Sequence, residues 1–332
     1  MEFTTGARLE VRINPSDVGK RVSVRRLTGS AEPGARFTDA VGVLTSWDAG
    51  VLVLTRRNGE TVRIAESSVV AAKVVPAAPA RRPGPAASVA ELTAVAARGW
   101  PAVENEPLGG WTLRASGGFT RRANSVLAAG DPQMPLDAAL ARAREWYGAR
   151  GLPLFVQLTT GAVGAHEALA AELDARGWGV EAAADVQIAG LAPVADRPSE
   201  GVELSRTADA AWYGLYHRAG SVSPEAERVL HGGPSVWFAT VPGTGGGPAA
   251  IGRCVVDGRW AGFAAVEVAP EHRRRGLATR VMAALAARAL DEGASAAYLQ
   301  VEPDNGGARA LYAGMGFTTH HSYHYRRDPV PG

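Results

Sequence analysis

One segment of the chain has the residue types of an anion cradle. Val266-Glu267-Val268-Ala269-Pro270 is β-branched and ends on a proline, and Glu271-His272-Arg273-Arg274-Arg275-Gly276 is a basic turn. Leu277-Ala278-Thr279 then opens a run in which Leu277, Val281 and Leu285 recur every fourth residue. The order is strand, loop, helix. The first N–H groups of a helix have no partners within it and lie at the positive end of its dipole, so they attract phosphate. Gly276 allows close approach of the backbone, and Arg273, Arg274 and Arg275 supply charge and bidentate donors. The same residues would also suit a solvated charge run ahead of an ordinary helix. Downstream, the strand ending at Val301 leads into Asn305, Ala308, Leu311, Tyr312, Gly316 and Phe317.

These residues need a scaffold, and the sequence carries one in duplicate. Residues 136–178 read as helix (Leu136 to about Ala149), strand (Pro153 to Leu158), helix (His166 to Arg176), then Gly177-Trp178. Residues 277–317 read as helix (Leu277 to Glu292), strand (Ala297 to Val301), helix (Gly307 to Gly314), then Gly316-Phe317. Both strands end in an apolar-Gln-apolar triplet, and both closing helices run into Gly plus an aromatic. Two copies of one mixed α/β fold are expected, at 88–197 and 198–332. The first copy lacks the cradle, since Ala129-Gly130-Asp131-Pro132-Gln133-Met134-Pro135 offers two prolines without N–H, an acidic residue and no arginine. Its run Gly117 to Asn124 suits either contacts to a second substrate or a plain hairpin.

Residues 1–75 differ in kind. Short β-branched runs at Arg21–Val24, Val43-Leu44, Val51–Leu54, Thr61–Ile64 and Val69-Val70, with Asn58-Gly59 as a two-residue turn, predict a small barrel of about five strands resembling an SH3-like barrel. With 11 Lys/Arg against 8 Asp/Glu and no aromatic cluster flanked by arginine, a docking or stabilising module is expected there rather than a nucleic-acid binder. Residues 76–87, proline- and alanine-rich, form a semi-rigid linker.

Composition bounds the rest. The 332 residues carry 46% hydrophobic and 20% charged side chains, with 40 glycines and 21 prolines, which excludes a disordered, collagen-like or coiled-coil chain. Net charge is only +2, so nucleic acid and membrane surfaces are not favoured as partners. All basic residues but Lys20 and Lys73 are arginine, the usage of a GC-rich bacterial coding sequence. The lone Cys254 forbids an internal disulfide, and no run reaches the ~18 apolar residues of a membrane span or signal-peptide character. A cytoplasmic, soluble protein is expected.

Taken together, Arg-x-x-Gly-x-Ala at 273–278 and Asn-x-x-Ala-x-x-Leu-Tyr-x-x-x-Gly-Phe at 305–317 resemble the GNAT N-acetyltransferase family over about residues 200–330. The resemblance implies an α/β (α+β) architecture of two GNAT-like mixed-sheet domains in tandem, the first degenerate, preceded by the small barrel. It implies acetyl-CoA as cosubstrate and no metal. The backbone around Val266 and Val268 would bind the pantetheine arm, and loop 273–279 (Arg273, Arg274, Arg275, Gly276, Leu277, Ala278, Thr279) the pyrophosphate. Asn305 would lie beside the pantetheine, and Tyr312 would protonate the leaving thiolate, although a core aromatic at helical spacing from Ala308 looks the same in sequence. An alkyl ammonium, with a pKa of about 10, must lose a proton before it attacks. Glu267 is the candidate base, against a plain surface glutamate.

In the C-terminal stretch, alternation puts His320, Ser322 and His324 on one face and His321, Tyr323 and Tyr325 on the other. A strand lining the acceptor groove is expected there rather than a zinc site, and Cys254 is expected to be a small core residue. Trp212, Tyr213, Tyr216 and His217 suit a pocket wall or a core stripe. The acceptor is expected to be a primary amine, on a small molecule or a protein lysine. The alternative is a non-catalytic acyl-CoA sensor or scaffold whose barrel docks a partner.

Overall fold

The computed structural model describes residues 10–28, 36–55, 61–75, 84–162, 165–216 and 222–329. The Asn58-Gly59 turn, most of the expected linker (76–83) and His217 lie outside the described residues. The chain divides into two compact units, Met1–Pro83 and Gly84–Gly332.

In the first unit, β1 (Val11–Arg12), β2 (Arg21–Thr28), β3 (Arg36–Asp48), β4 (Val51–Thr55), β5 (Thr61–Ala65) and β6 (Val69–Val74) form a sheet in the order β1-β6-β2-β3-β4-β5. Alternation does the work: Val22, Val24, Leu44, Leu52, Leu54 and Ile64 are fully buried, and each sits two residues from its nearest buried neighbour within a strand or stands alone in it. The expectation of five strands missed β1, which is two residues long and pairs with β6 in parallel. Among the described pairings β1 and β5 are the end strands, so the sheet is not closed into a barrel by hydrogen bonds.

The second unit holds both copies of the repeat. The first contributes α1 (Val89–Gly99), β7 (Glu104–Leu108), β8 (Trp111–Ala115), β9 (Val126–Leu127), α2 (Leu136–Gly148), β10 (Phe155–Thr160), α3 (Glu167–Ala175), β11 (Gly179–Gly190) and a short α4 (Ala192–Ala195). The second contributes β12 (Glu203–Ser205), α5 (Ala210–Leu215), α6 (Pro224–His231), β13 (Ser235–Pro242), β14 (Pro248–Asp257), β15 (Trp260–Val268), α7 (Leu277–Asp291), β16 (Ala296–Val301), α8 (Gly306–Gly314) and β17 (Thr318–Arg327). Helix starts follow their caps: Ser88, Asp209, Ser223 and Asn305 each accept a backbone N–H of the first turn. None of these helices is long and apolar enough to cross a membrane.

All eleven strands join one mixed sheet, β12-β13-β14-β15-β16-β11-β17-β10-β9-β8-β7. Within each copy a strand pair is parallel and bridged by a helix, β9 with β10 through α2 and β15 with β16 through α7. The last strands are exchanged. β11 does not return to its own β10 but lies between β16 and β17, pairing Asp185 with Val301 and Ala184 with Tyr323. β17 likewise lies between β11 and β10, pairing Phe155 with Arg327 through Thr160 with Ser322. The elements before and after residue 197 thus complete one sheet by exchanging their last strands.

Helix α7 fixes the centre of the second copy. Its Val281, Met282, Leu285, Ala286 and Ala289 are buried against Ala250, Cys254, Ala261 and Leu299. Each fully buried Val, Met or Leu side chain there contributes about 1.5–3 kcal/mol. The approach is so close that a Cβ on Gly252 of β14 would collide with Val281. Cys254 is a core residue as expected, and burial holds its thiol proton up to about 12.

Candidate active site

Strands β15 and β16 start paired and then part. Their ladder runs from Trp260–Ala296 to Phe263–Leu299 and stops, although β15 continues to Val268 and β16 to Val301. The cause is local. Ala265 takes a left-handed φ of 51°, and the register against β14 shifts between the Ile251–Glu267 and Arg253–Ala264 pairs. Such a bulge bends a strand and adds twist. Around it Ala264, Glu267 and Val268 keep their pairing to β14, residues 264–268 have an open edge towards β16, and all five are half-buried.

A cleft of about 210 Å3 fills the gap. One wall is β15 from Phe263 to Glu267, facing Gln300 and Val301 of β16 and the following Glu302. Helix α8 closes one side with Asn305, Ala308 and Tyr312. The exchanged strands supply Ala182–Ala184 of β11 and Tyr323 and Tyr325 of β17, and the first copy adds Trp100, Thr120, Arg121 and Arg122. Val266, Glu267, Asn305 and Tyr312, singled out from sequence, therefore meet in one place. Val268 does not line the cleft; it packs on the core beside Val266, and its carbonyl accepts from Arg273 Nε at 3.4 Å.

Tyr312 is held by helix α8 against Phe317, ring centroids 5.9 Å apart. Burial pushes its hydroxyl up to about 12, so at neutral pH it carries a proton to give. Asn305 caps α8 through Oδ1, which accepts from Ala308 N at 3.1 Å, and leaves its Nδ2 for a ligand. Tyr323 donates to Gln300 Oε1 at 2.8 Å, tying β17 to β16 across β11.

The basic loop lies just beyond the end of β15 and outside the cleft lining. Arg273, Arg274, Arg275 and Gly276 are exposed, whereas Leu277 is buried and anchors α7. Arg274 and Gly276 have φ of 60° and 76°, and no side chain caps the N-terminus of α7, which leaves the N–H groups of Leu277, Ala278 and Thr279 available. Among the described residues none of the three arginines pairs with a carboxylate; Arg275 instead lies 3.1 Å from His272 Nδ1. In the first copy the matching space is taken. The Gly109-Gly110 turn presses on the backbone of Asp131 and Pro132, Gly110 N donates to Asp131 O at 2.6 Å, and a Cβ on either glycine would collide.

Two expectations change. Residues 117–124 are not a plain hairpin: Arg121–Ala123 form a 3₁₀ turn whose arginines reach the cleft. Strict alternation fails in β17, where a register shift against β11 lets His320 and His321 meet, Nδ1 to Nδ1 at 2.9 Å. Burial and His320 lower the His321 pKa to about 4. Tyr323 and Tyr325 do line the cleft, and among the described residues no group of three or more His, Cys, Asp or Glu could hold a metal. Tyr216 lines the cleft, while Trp212 and Tyr213 are buried core. Sequence reasoning missed Trp100, Gln300 and Ala182–Ala184 as wall residues; an alanine run inside a strand was the available signal for the last.

Behind the cleft, Arg253 of β14 is 1% exposed. It donates to Leu230 O at 2.6 Å, Gly99 O at 2.9 Å and Gly232 O at 2.6 Å, the carbonyl ends of α6 and α1, and it stacks on Trp100 at 5.0 Å. Burial lowers its pKa to about 10, so it stays charged at neutral pH. Arg253→Met removes five donors and strands two buried carbonyls and a half-buried one, an expected cost of about 3–5 kcal/mol. Thermal unfolding of the variant should fall by about 10 °C.

Comparison with known proteins agrees with this geometry. Residues 86–326 match the family model described as "Probable histone acetyltransferase Rv0428c C-terminal", and residues 16–73 match "Rv0428c N-terminal Sm-like domain". The chain belongs to the Rv0428c family. Its similarity to the probable histone acetyltransferase Rv0428c of Mycobacterium tuberculosis is 30% identity over 316 residues, 93% of this chain and 94% of that protein. It is 28% identical to the uncharacterized N-acetyltransferase YobR of Bacillus subtilis, over 72% of this chain and 98% of the other. Among solved structures, the GCN5-related N-acetyltransferase from Kribbella flavida superposes with a TM-score of 0.55 at 19% identity, over 74% of this chain and 97% of that one, which shows a shared fold. As a member of the Rv0428c family the chain is an acyltransferase, and its fold is that of the GNAT structure it superposes on. The family model describes the N-terminal unit as Sm-like, a distinction that strand count and spacing did not separate from SH3-like.

Proposed function

We propose that the protein transfers the acetyl group of acetyl-CoA directly to a primary amine bound in the same cleft. The observation that carries this is the parting of β15 and β16 at Ala265, which opens strand backbone at Val266 beside an uncapped helix N-terminus flanked by three arginines. A pantetheine arm can lie along the open edge and take up strand hydrogen bonds, while the diphosphate meets the N–H groups of residues 276–279. Glu267, on the cleft wall, accepts a proton from the incoming ammonium. Glu267 passes that proton to solvent, the neutral nitrogen attacks the thioester carbon, Glu267 takes the second nitrogen proton from the tetrahedral adduct, the C–S bond breaks, and Tyr312 donates its proton to the departing sulfur. The tyrosine recovers a proton from solvent.

The family's name suggests a protein lysine as acceptor, and a small amine suits the same chemistry. The Sm-like unit would then dock a partner or stabilise the enzyme. Calorimetric titration with acetyl-CoA tests the donor site. One site is expected, weakened at least tenfold in Gly276→Glu, which puts a carboxylate in the cradle where a Cβ meets nothing within 4 Å. Gly276→Asn, which tolerates positive φ, controls for backbone strain. No binding to the native protein would overturn the proposal, and binding without turnover on any amine would favour the sensor reading.

A further inference from the structure

Arg121, Glu302 and Arg122 are the charged residues of the cleft lining that the mechanism leaves unused, and of the two arginines the one without an ion pair among the described residues is Arg122. It comes from the first copy, the one without a phosphate cradle. Its guanidinium lies 4.7 Å from the centre of the Trp100 ring, whose other neighbours are Arg253 at 5.0 Å and Phe119 at 6.3 Å. Trp100 is itself fixed, donating from Nε1 to Thr120 Oγ1 at 3.0 Å. Stacking of this kind orients a guanidinium and leaves its N–H edge free for a planar anion.

Its neighbours are satisfied and it is not. Arg121 pairs with Glu181 at 3.1 Å, Arg253 holds three carbonyls, and the buried Arg114 donates to Ser125 and Gln157. Among the described residues Arg122 has no ion pair and no hydrogen bond, although it is half-buried. It lines the main cleft, and also two smaller recesses, one with Phe263, Ala264 and Gln300 and the other with Gln157, His321 and Tyr323. Phe263 is where the β15–β16 ladder ends, so Arg122 stands at the inner end of the gap.

The turn that presents it is held under strain. Thr120, β-branched, has a φ of 56°, a conformation that costs about 1–3 kcal/mol. Asn124 enforces it with four hydrogen bonds, accepting from Ser116 N and Gly118 N and donating to Phe119 O and Thr120 O, all at 2.8–3.0 Å. Strain kept by so complete a network fixes where Arg121 and Arg122 emerge.

We infer that Arg122 binds a carboxylate carried by the acceptor, so that the substrate class is an amine that also bears an acid. This rests on the proposed transfer to an amine. The two walls of the cleft then match the two ends of such a molecule, Glu267 at the amine and Arg122 at the carboxylate.

The test uses matched acceptors with acetyl-CoA: 4-aminobutyrate against n-butylamine and β-alanine against n-propylamine. In the native enzyme the acid of each pair should show at least tenfold higher kcat/KM. Arg122→Gln should abolish that preference by raising KM for the acid with kcat changed less than threefold, Arg122→Lys should keep part of it, and acetyl-CoA affinity should be unchanged in both. Equal use of both members of each pair, or acid KM unmoved by Arg122→Gln, overturns the inference. So does acetyl-CoA binding with no member of either pair acetylated. Preference for succinyl-CoA over acetyl-CoA that Arg122→Gln reverses also overturns it, because the carboxylate would then belong to the donor. Failure to bind acetyl-CoA at all is separate: it overturns the proposed function.

Discussion

Residues 198–332 produced without residues 84–197 are expected to be insoluble and to bind no acetyl-CoA. The fragment keeps every residue assigned to the donor, yet it loses β11, and β11 is the strand between β16 and β17. Without it β16 loses a ladder that runs from Asp185–Val301 to Gly190–Ala296, and β17 loses both neighbours, since β10 goes too. The six residues of β16 and the ten of β17 would then expose unpaired N–H and C=O groups, a template for aggregation. Val186 and Ile188 of β11 pack against Tyr298 and Tyr323, so the same cut opens the core around them. Co-producing residues 84–197 as a separate chain should restore solubility and a single calorimetric site. A monomeric fragment 198–332 by size-exclusion chromatography, with native-like acetyl-CoA affinity, would show that the exchange is dispensable.

Tyr312→Phe is expected to lower kcat by about 10²–10³ while leaving the acetyl-CoA dissociation constant within twofold. Loss of a proton donor to a poor leaving group acts on the transition state and spares the ground state. The hydroxyl has no hydrogen-bond partner among the described residues, so its removal should shift thermal unfolding by no more than about 2 °C. The pH profile adds a second check. Burial keeps the phenol protonated up to about 12, so Tyr312 contributes no loss of activity below roughly pH 11 and a loss only as pH rises through 12. A variant with unchanged kcat would remove Tyr312 from the mechanism and leave it as a packing partner of Phe317.

The residues proposed to hold the donor could be singled out from sequence because that chemistry is local. An arginine loop, a glycine able to take φ of 76°, and a helix with no capping side chain are neighbours in sequence. Asn305 and Tyr312 come after them at the spacing of one helix. The other wall of the cleft, proposed to take the acceptor, was not legible for the opposite reason. Trp100, Arg122, Ala183 and Tyr325 come from four separate elements, and only the strand order brings them together. Alternation tells which residues share a face but is silent on which strand lies next door, so the exchange of β11 and β17 left no mark in the pattern. Bulges escape in the same way: the extra residue near His320 turns an i, i+1 pair from opposite faces into a contact, and the one at Ala265 opens the cleft.

The exchanged strands also bear on how such a gene can change over time. A duplicated domain that loses its catalytic loop is ordinarily free to decay and be deleted. Here, with the donor site placed in the second half as proposed, deletion would take β11 out of that half's sheet, so selection on its activity would preserve the first half's backbone whatever becomes of its own chemistry. Side chains on that protected backbone are at liberty to acquire a different task, and Arg122 stands where such a task would begin.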